Sequence, residues 1–242
     1  MFRQTAGFYS HRISNDTIRD ILKAAVETNF QQTGEHVPIV SIGSGTGFHE
    51  YQIFKKGRWD APPELICVDP DPTISGGYDS VQFVKPHYAT VQDLIRARPT
   101  ILGNCIMLMI WPNPAPSSYD FEALAMLMPR SSIIMWEMKG GAGGSNFHKW
   151  FKDGHKGYHM LTQHTHRYVL DSFVKVPCYD STSWFLRDDF ERPRSVPKDY
   201  HVKESDYDGT PDFIEAFNKK MATGEISAAT LAHLNALQTS FK

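Results

Sequence analysis

The stretch VPIVSIGSGTGFHE, residues 37–50, decides the fold of this 242-residue chain. Its first half is an uncharged, mostly apolar run that predicts a short buried strand. The run ends in three glycines, Gly43, Gly45 and Gly47, and FHEYQIF (48–54) has the pattern of a following helix. Glycines at the end of a strand let the backbone approach a ligand closely, and the first N–H groups of a helix have no partner within it. The stretch therefore predicts a loop that binds a ligand.

An acidic residue closes the next predicted strand. ELICVDP (64–70) is the second apolar run, and Asp69 stands at its end, 26 positions after Gly43. Because the carboxyl ends of parallel strands lie along one edge of a sheet, we expect Asp69 to lie beside the glycine loop. This spacing suits a carboxylate that accepts hydrogen bonds from ribose hydroxyls.

Strands and helices alternate along most of the chain, which favours a mainly parallel sheet with helices on both faces. The last two predicted strands have no clear helix between them and are more polar, as is typical of an antiparallel edge pair. Strands are predicted at 37–43, 64–70, 81–86 (a weaker one), 106–111, 131–138, part of 158–170, and 182–188. Helices are predicted from Asn15 or Asp16 to residue 30, with Gly34 beyond the end, and at 48–54, 90–98, 119–127 and 146–152.

Composition divides the chain into three parts. Residues 1–36 form an N-terminal segment with a helix, residues 37–188 an α/β domain, and residues 189–242 a linker with a helical tail. The linker is charged and contains prolines. Two short amphipathic helices are predicted after it, and we expect them to pack on the domain, on a protein partner or on a second copy of the chain.

Charge and cysteine content restrict the class of protein. The net charge of -2 gives no global positive field, so nucleic-acid binding would require a local basic patch. Three cysteines, Cys67, Cys105 and Cys178, are too few for a disulfide framework and indicate a reducing compartment. The N-terminus lacks the apolar core of a signal peptide, and the most apolar run, 104–111, is too short to cross a bilayer. We therefore expect a cytoplasmic protein without a membrane partner.

The glycine loop and Asp69 together resemble the class I S-adenosylmethionine-dependent methyltransferases. The first motif of that family is a strand ending in G-x-G-x-G, and the second is an acid at the end of the second strand. The resemblance covers roughly residues 37–188 and implies an α/β three-layer sandwich with a mostly parallel seven-stranded sheet and an antiparallel edge pair. It implies S-adenosylmethionine as the cofactor, bound by Gly43, Ser44, Gly45, Thr46, Gly47, Asp69, Pro70 and Trp111.

One position departs from the family pattern. Family members usually carry an acid two residues before the first glycine, where it helps to hold the amino group of the cofactor. Ser41 occupies that place here. Glu50, in the first turns of the following helix, is one candidate substitute. The other interpretation is that the fold has lost cofactor binding and serves as a binding or assembly module.

The rival ligand for such a loop is a nicotinamide or flavin dinucleotide. A dinucleotide site requires G-x-G-x-x-G or a final alanine, so that the helix packs closely on the strand. Phe48 occupies that last position, which disfavours an oxidoreductase.

The fourth predicted strand ends in WPNP, residues 111–114, where the sheet should face the reaction zone. Trp111 is predicted to pack on the adenine or to wall the acceptor pocket, and Asn113 to hydrogen-bond an acceptor amine or hydroxyl. The motif weakly resembles the (D/N/S)-P-P-(Y/F/W) motif of amino-directed DNA and RNA methyltransferases, but here the aromatic residue comes first and the two prolines are separated. Two prolines that merely end a buried strand are the simpler interpretation. Acids that a catechol-type metal site or a ribose 2′-O methyltransferase would need are absent here.

Candidate general bases are scattered along the chain. Glu137 lies near the end of the fifth predicted strand, on the ligand side, and with Asn113 it forms the predicted catalytic pair. The other candidates are His87, His148, Tyr9 and His11. Each of them is alternatively an ordinary surface or hydrogen-bonded residue.

Residues 147–167 are rich in histidine, lysine and aromatic residues. They contain His148, His155, His159, His164 and His166, but no cysteine or tight acid cluster completes a metal site, so no metal is predicted. Lysines at 149, 152 and 156 with the neighbouring aromatics suggest contact with a phosphate-bearing substrate. A solvated face with a few buried aromatics explains them more simply.

The sequence thus predicts a methyltransferase that uses S-adenosylmethionine, with RNA, a nucleotide or a small molecule favoured slightly over protein as the acceptor. The alternative is a catalytically inactive methyltransferase-like module that binds a partner through its C-terminal helices. A nucleotide-dependent oxidoreductase ranks third.

Overall fold

The computed structural model describes residues 12–55, 57–70, 83–112, 119–137, 143–169 and 177–197, with the backbone alone at 12–15, 137, 166–169 and 177–180. The helices are α1 (Arg12–Thr33), α2 (Phe48–Glu50) with a π-helical continuation (Tyr51–Lys55), α3 (Val91–Ala97) with a 3₁₀ turn (Pro99–Ile101), α4 (Tyr119–Leu127) and α5 (Ser145–Lys152). The strands are β1 (Ile39–Ile42), β2 (Leu65–Val68), β3 (Ile106–Ile110), β4 (Ser131–Glu137), β5 (Tyr158–Val169) and β6 (Pro177–Arg187).

These strands form one sheet in the order β2-β1-β3-β4-β6-β5. The first four strands of the chain are parallel, and β6 pairs antiparallel with both β4 and β5. The predicted parallel sheet with an antiparallel edge pair is confirmed. Because the chain leaves β1 for β2 on one side and returns to β3 on the other, the topological switch point lies between the carboxyl ends of β1 and β3.

Helices cover both faces of the sheet, as predicted. On one face, Ile18, Ile21, Leu22 and Ala25 of α1 pack against a strand residue such as Ile39. On the other face, side chains of α3, α4 and α5 form a second buried cluster with the sheet. Buried, near-continuous apolar strands of this kind are expected where helices cover a parallel sheet on both sides.

The predicted seven-stranded sheet is not confirmed, because the described part of the chain forms six strands. The expected third strand at 81–86 is wrong over 83–86, the part of it that the structure describes. Its place beside β2 is held by a single parallel bridge between Val68 and Tyr88. Phe83 and Val84 donate their backbone N–H groups to Thr46 in the glycine loop instead of to a neighbouring strand.

The first helix starts earlier than the sequence predicts, at Arg12 rather than at Asn15 or Asp16. It ends at Thr33, three residues later than predicted, and Gly34 lies beyond its end as expected, with a φ of +70° and its N–H donated to the carbonyl of Phe30 at 2.7 Å. A glycine in the left-handed region is the common end of a helix, because it has no Cβ to clash there.

Two sequence expectations about the interior can also be compared with the structure. Cys67 and Cys105 are buried and unbridged, as their apolar surroundings predict. Among the described residues, no helix is both long and apolar enough to cross a membrane. The predicted C-terminal helices lie outside the described residues.

Candidate functional site

The glycine loop lies at the switch point and is pinned to the second strand. Gly43 donates its N–H to the carbonyl of Val68 at 2.8 Å, and Gly47 donates to Ser44 at 2.8 Å. The backbone N–H of Gly45 donates to the carboxylate of Asp69 at 2.7 Å. Asp69 therefore lies beside the glycine loop, as predicted.

Asp69 connects the end of β2 to the glycine loop through hydrogen bonds. Its backbone N–H donates to the carbonyl of Tyr88 at 3.1 Å, which fixes the residue just after the strand. The side chain is partly exposed. An ionised carboxylate has about four acceptor sites, so one group can hold the loop and also accept from a ligand hydroxyl.

Two neighbours press directly against the loop. A Cβ built on Gly43 would lie 2.8 Å from the hydroxyl of Tyr119, the first residue of α4. A Cβ on Gly47 would lie 2.5 Å from the carbonyl oxygen of Val84 and 2.7 Å from its nitrogen. The backbone of Val84 therefore excludes a side chain at Gly47, whereas a side chain at Gly43 would require the end of the Tyr119 side chain to move.

Replacing Gly47 with alanine is expected to lower the free energy of unfolding by about 2 to 4 kcal/mol, since the left-handed φ costs about 1 kcal/mol and overpacking the remainder. Gly34→Ala is the matched control, because Gly34 has the same φ of +70° with nothing within 4 Å of a Cβ. Urea unfolding of both variants separates the contact from the backbone cost. Equal losses in the two variants would show that the contact with Val84 is unimportant.

Ser41 and Glu50 form a buried pair beneath the loop. Ser41 is the third residue of β1, between Cys67 of β2 and Leu108 of β3. Its hydroxyl donates to one carboxylate oxygen of Glu50 at 2.5 Å. Glu50 is only 2% exposed, and among the described residues its second oxygen has no hydrogen-bond partner.

Burial dominates the electrostatics of this pair. It raises the pKa of Glu50 to about 7, the hydrogen bond from Ser41 works against the rise, and the nearby charge of Asp69 adds to it. The pKa of the Cys67 thiol is also raised, first by burial and then by the charge of Glu50. Glu50 is therefore buried with the charge of Asp69 nearby, and no cation among the described residues is a cause of its pKa shift.

The other predicted cofactor contacts line the same edge of the sheet. Ser44 and Thr46 are partly buried within the loop, and Pro70 is exposed just after Asp69. Trp111 follows β3 with a φ of +52°. Its backbone N–H donates to the carbonyl of Met135 at 2.9 Å, and its side chain packs against the α1-side cluster, the buried residues between α1 and the sheet. A left-handed backbone at a bulky residue is strained and is frequent at functional sites. The contact of Trp111 with an adenine stays a prediction.

Asp120 joins the loops that follow β3 and β4. It is 1% exposed and accepts hydrogen bonds from the backbone N–H groups of Gly144 at 2.5 Å and Phe121 at 2.7 Å. Burial raises its pKa, although these bonds oppose the rise. The backbone N–H of Gly143 donates to the carbonyl of Pro112 at 2.7 Å, so a second hydrogen bond joins the loops that follow β3 and β4.

The predicted catalytic pair remains a prediction. Asn113 lies outside the described residues, and Glu137 is the last residue of β4 with only its backbone described. Tyr9 and His11 also lie outside them. His87 is placed, and its Nδ1 accepts the backbone N–H of Cys67 at 3.0 Å, which ties the ring to β2.

The histidine-rich segment mainly builds structure. His155 packs in an aromatic cluster with Trp150 and Phe185, and His159 lies 3.3 Å from a carboxylate oxygen of Asp188. His148 contacts Trp136 with ring centroids 5.4 Å apart. In the part of the chain that the structure describes, no three histidine, cysteine or acidic side chains gather into a metal site.

The basic residues near that segment are exposed, and two of its aromatic residues are buried. Lys149, Lys152 and Lys156 face solvent. Phe147 and Trp150 are 0% and 8% exposed, so they are not available to stack on bases. This arrangement matches the solvated face with buried aromatics that the sequence also predicted.

Sequence reasoning missed three contributors to the site: Tyr119, Val84 and Asp120. The first two contact glycines that are far away along the chain, so no local sequence pattern indicates these contacts. Asp120 gave a weak signal, since an acid in the first turn of an otherwise apolar helix suits backbone N–H groups nearby.

No family model matches this chain, and no curated protein matches it. Among solved structures, it is similar to a proposed class I S-adenosylmethionine-dependent methyltransferase from Listeria monocytogenes, with 13% identity over 93% of this chain and 72% of that one, at a TM-score of 0.49. Others are a proposed RNA methyltransferase from Pyrococcus horikoshii (13% identity, 77% and 92% covered, TM-score 0.45) and the 16S rRNA methylase ArmA (11%, 74% and 88%, 0.39). At such values the similarity assigns no ligand or activity to this chain.

Proposed function

We propose that this protein binds S-adenosylmethionine and transfers its methyl group to RNA, a nucleotide or a small molecule. The observation that carries the proposal is the hydrogen bond from the Gly45 N–H to the Asp69 carboxylate, 2.7 Å long, at the switch point of the sheet. An acid in this position suits ribose hydroxyls, and the bond holds it beside a loop in which Val84 leaves no room for a side chain at Gly47.

The residues present fit the cofactor in two further respects. Hydrogen bonds from the N–H groups of Gly43 to Val68 and of Gly47 to Ser44 hold the loop in shape, and Val84 packs directly against Gly47. Glu50 offers a buried carboxylate oxygen that lacks a hydrogen-bond partner among the described residues. Phe48 packs edge-on against Phe83, with centroids 5.2 Å apart, where a dinucleotide loop would need a small residue.

The bound cofactor would supply a methyl group on a sulfonium, which is already an excellent leaving group. The protein then has to position an acceptor atom in line with the methyl carbon and exclude water. An acceptor hydroxyl or protonated amine must also lose a proton to a base, for which Glu137 and His148 are the candidates beside β4. Asn113 would hold the acceptor.

Transfer of label tests the activity. The purified full chain is incubated with S-adenosylmethionine labelled in its methyl group and with separate pools of RNA, nucleotides and small metabolites. We expect label to enter one pool and to be lost in an Asp69→Ala variant. Tight cofactor binding with no label in any pool would contradict catalysis and favour the inactive binding module.

A further inference from the structure

We propose that Glu50, oriented by Ser41, binds the ammonium group of the amino-acid end of the cofactor. The inference rests on the proposed function and assigns the group that recognises one end of that ligand. It begins from the buried carboxylate of Glu50, which one serine holds and no described cation neutralises.

The position of Ser41 explains why Glu50 points beneath the loop. Alternate residues of a strand face opposite sides of a sheet, so Ser41 faces the same side as Ile39, which packs in the α1-side cluster. The helical segment that follows the glycine loop covers that same side, with Ile53 and Phe54 in the same cluster. The 2.5 Å hydrogen bond therefore fixes Glu50 over the end of β1.

The charge of Glu50 requires a partner. A buried carboxylate without a cation is costly when ionised, and the charge that acts on Glu50, that of Asp69, is negative. Its second oxygen is buried and has no hydrogen-bond partner among the described residues. A cationic donor on a ligand would remove both costs at once, which a neutral or anionic ligand would not do.

Two carboxylates lie beside the loop, and each suits a different part of the ligand. Asp69 is partly exposed at the end of β2 and suits neutral hydroxyl donors. Glu50 is fully enclosed at the end of β1 and suits a compact positive donor. S-adenosylmethionine and S-adenosylhomocysteine carry both a ribose and an ammonium, so the pair accounts for the two ends of one molecule.

Calorimetric titration with two ligands tests the inference. S-adenosylhomocysteine carries the ammonium, and 5′-methylthioadenosine has the same adenosine and thioether without it. At pH 8, Glu50→Gln should weaken S-adenosylhomocysteine about 10- to 100-fold, the range for a charged hydrogen bond, and leave 5′-methylthioadenosine within about twofold. Ser41→Ala should give a smaller loss for the same ligand only. Glu27→Gln, an exposed carboxylate on α1, is the matched control and should change neither.

The outcomes separate the inference from the proposed function. If Glu50→Gln leaves S-adenosylhomocysteine binding unchanged, or weakens both ligands equally, Glu50 does not recognise the ammonium and the inference is overturned while cofactor binding stands. If the folded wild-type protein binds neither ligand, the proposed function fails and the inference fails with it. Thermal unfolding of each variant confirms that it is folded.

Discussion

Replacing Asp69 with alanine should weaken binding of S-adenosylhomocysteine about 1000-fold, the largest effect expected of a single substitution in this protein. The variant loses the acceptor of the Gly45 N–H at 2.7 Å and, under the proposed function, the acceptor of the ribose hydroxyls. Two hydrogen bonds from ribose hydroxyls to a charged group, at about 2 kcal/mol each, amount to about three powers of ten in affinity.

The control for this variant is Asp60→Ala, since Asp60 is an exposed acid in the loop before β2. Equilibrium binding measured by calorimetry should show wild-type affinity for this control. A folded Asp69→Ala variant that binds S-adenosylhomocysteine as tightly as the wild type would contradict the role of Asp69 in the site.

Glu50 should make the ligand-free protein less stable as the pH rises. Burial lifts its pKa in the folded state from 4.5 to about 7, so between these values the folded protein holds a proton that the unfolded chain has released. The free energy of unfolding should therefore fall by about 3 kcal/mol from pH 4.5 to above pH 7 through this group alone. The stabilisation is fully present at the acid end of this window and is lost through pH 7.

Comparison of the wild type with Glu50→Gln isolates that effect, because all other titrating groups are shared. Urea unfolding at pH 5 and pH 8 should show the variant losing about 2.5 kcal/mol less than the wild type over this interval. A saturating concentration of S-adenosylhomocysteine should also reduce the wild-type loss, since an ammonium beside Glu50 stabilises the carboxylate. Identical pH dependence in the two proteins would show that Glu50 is not a buried titrating group.

The parts of the fold that depend on local pattern could be predicted from the sequence. Apolar runs marked β1 to β4, and the glycines with Asp69 marked the loop, because a strand, a turn and a strand-end acid each leave a signature within a few residues. Polar alternation near the C-terminal end of the domain similarly predicted the antiparallel pair β5 and β6.

The errors arose where tertiary contacts outweighed local pattern. VQFVKP has the composition of a strand, yet the N–H groups of Phe83 and Val84 are used by the carbonyl of Thr46 in the glycine loop. Val84 also packs directly against Gly47, which keeps the segment beside the loop. Such a choice between two hydrogen-bond partners depends on residues almost forty positions away and has no mark in the segment itself.

The site shows the same division. Ser41 was visible as a departure from the family pattern, and Glu50 was visible as a candidate substitute, but only the folded chain brings the two to 2.5 Å. The contact of Tyr119 with Gly43 had no sequence signal, because it joins the start of α4 to the end of β1.

Calorimetric titration of the purified wild-type chain with S-adenosylmethionine, S-adenosylhomocysteine and NAD tests the central claim most directly, since it measures whether the loop binds this cofactor. The account predicts micromolar binding of the first two ligands and none of NAD. A folded sample that binds neither S-adenosyl compound, or that binds NAD instead, would contradict it.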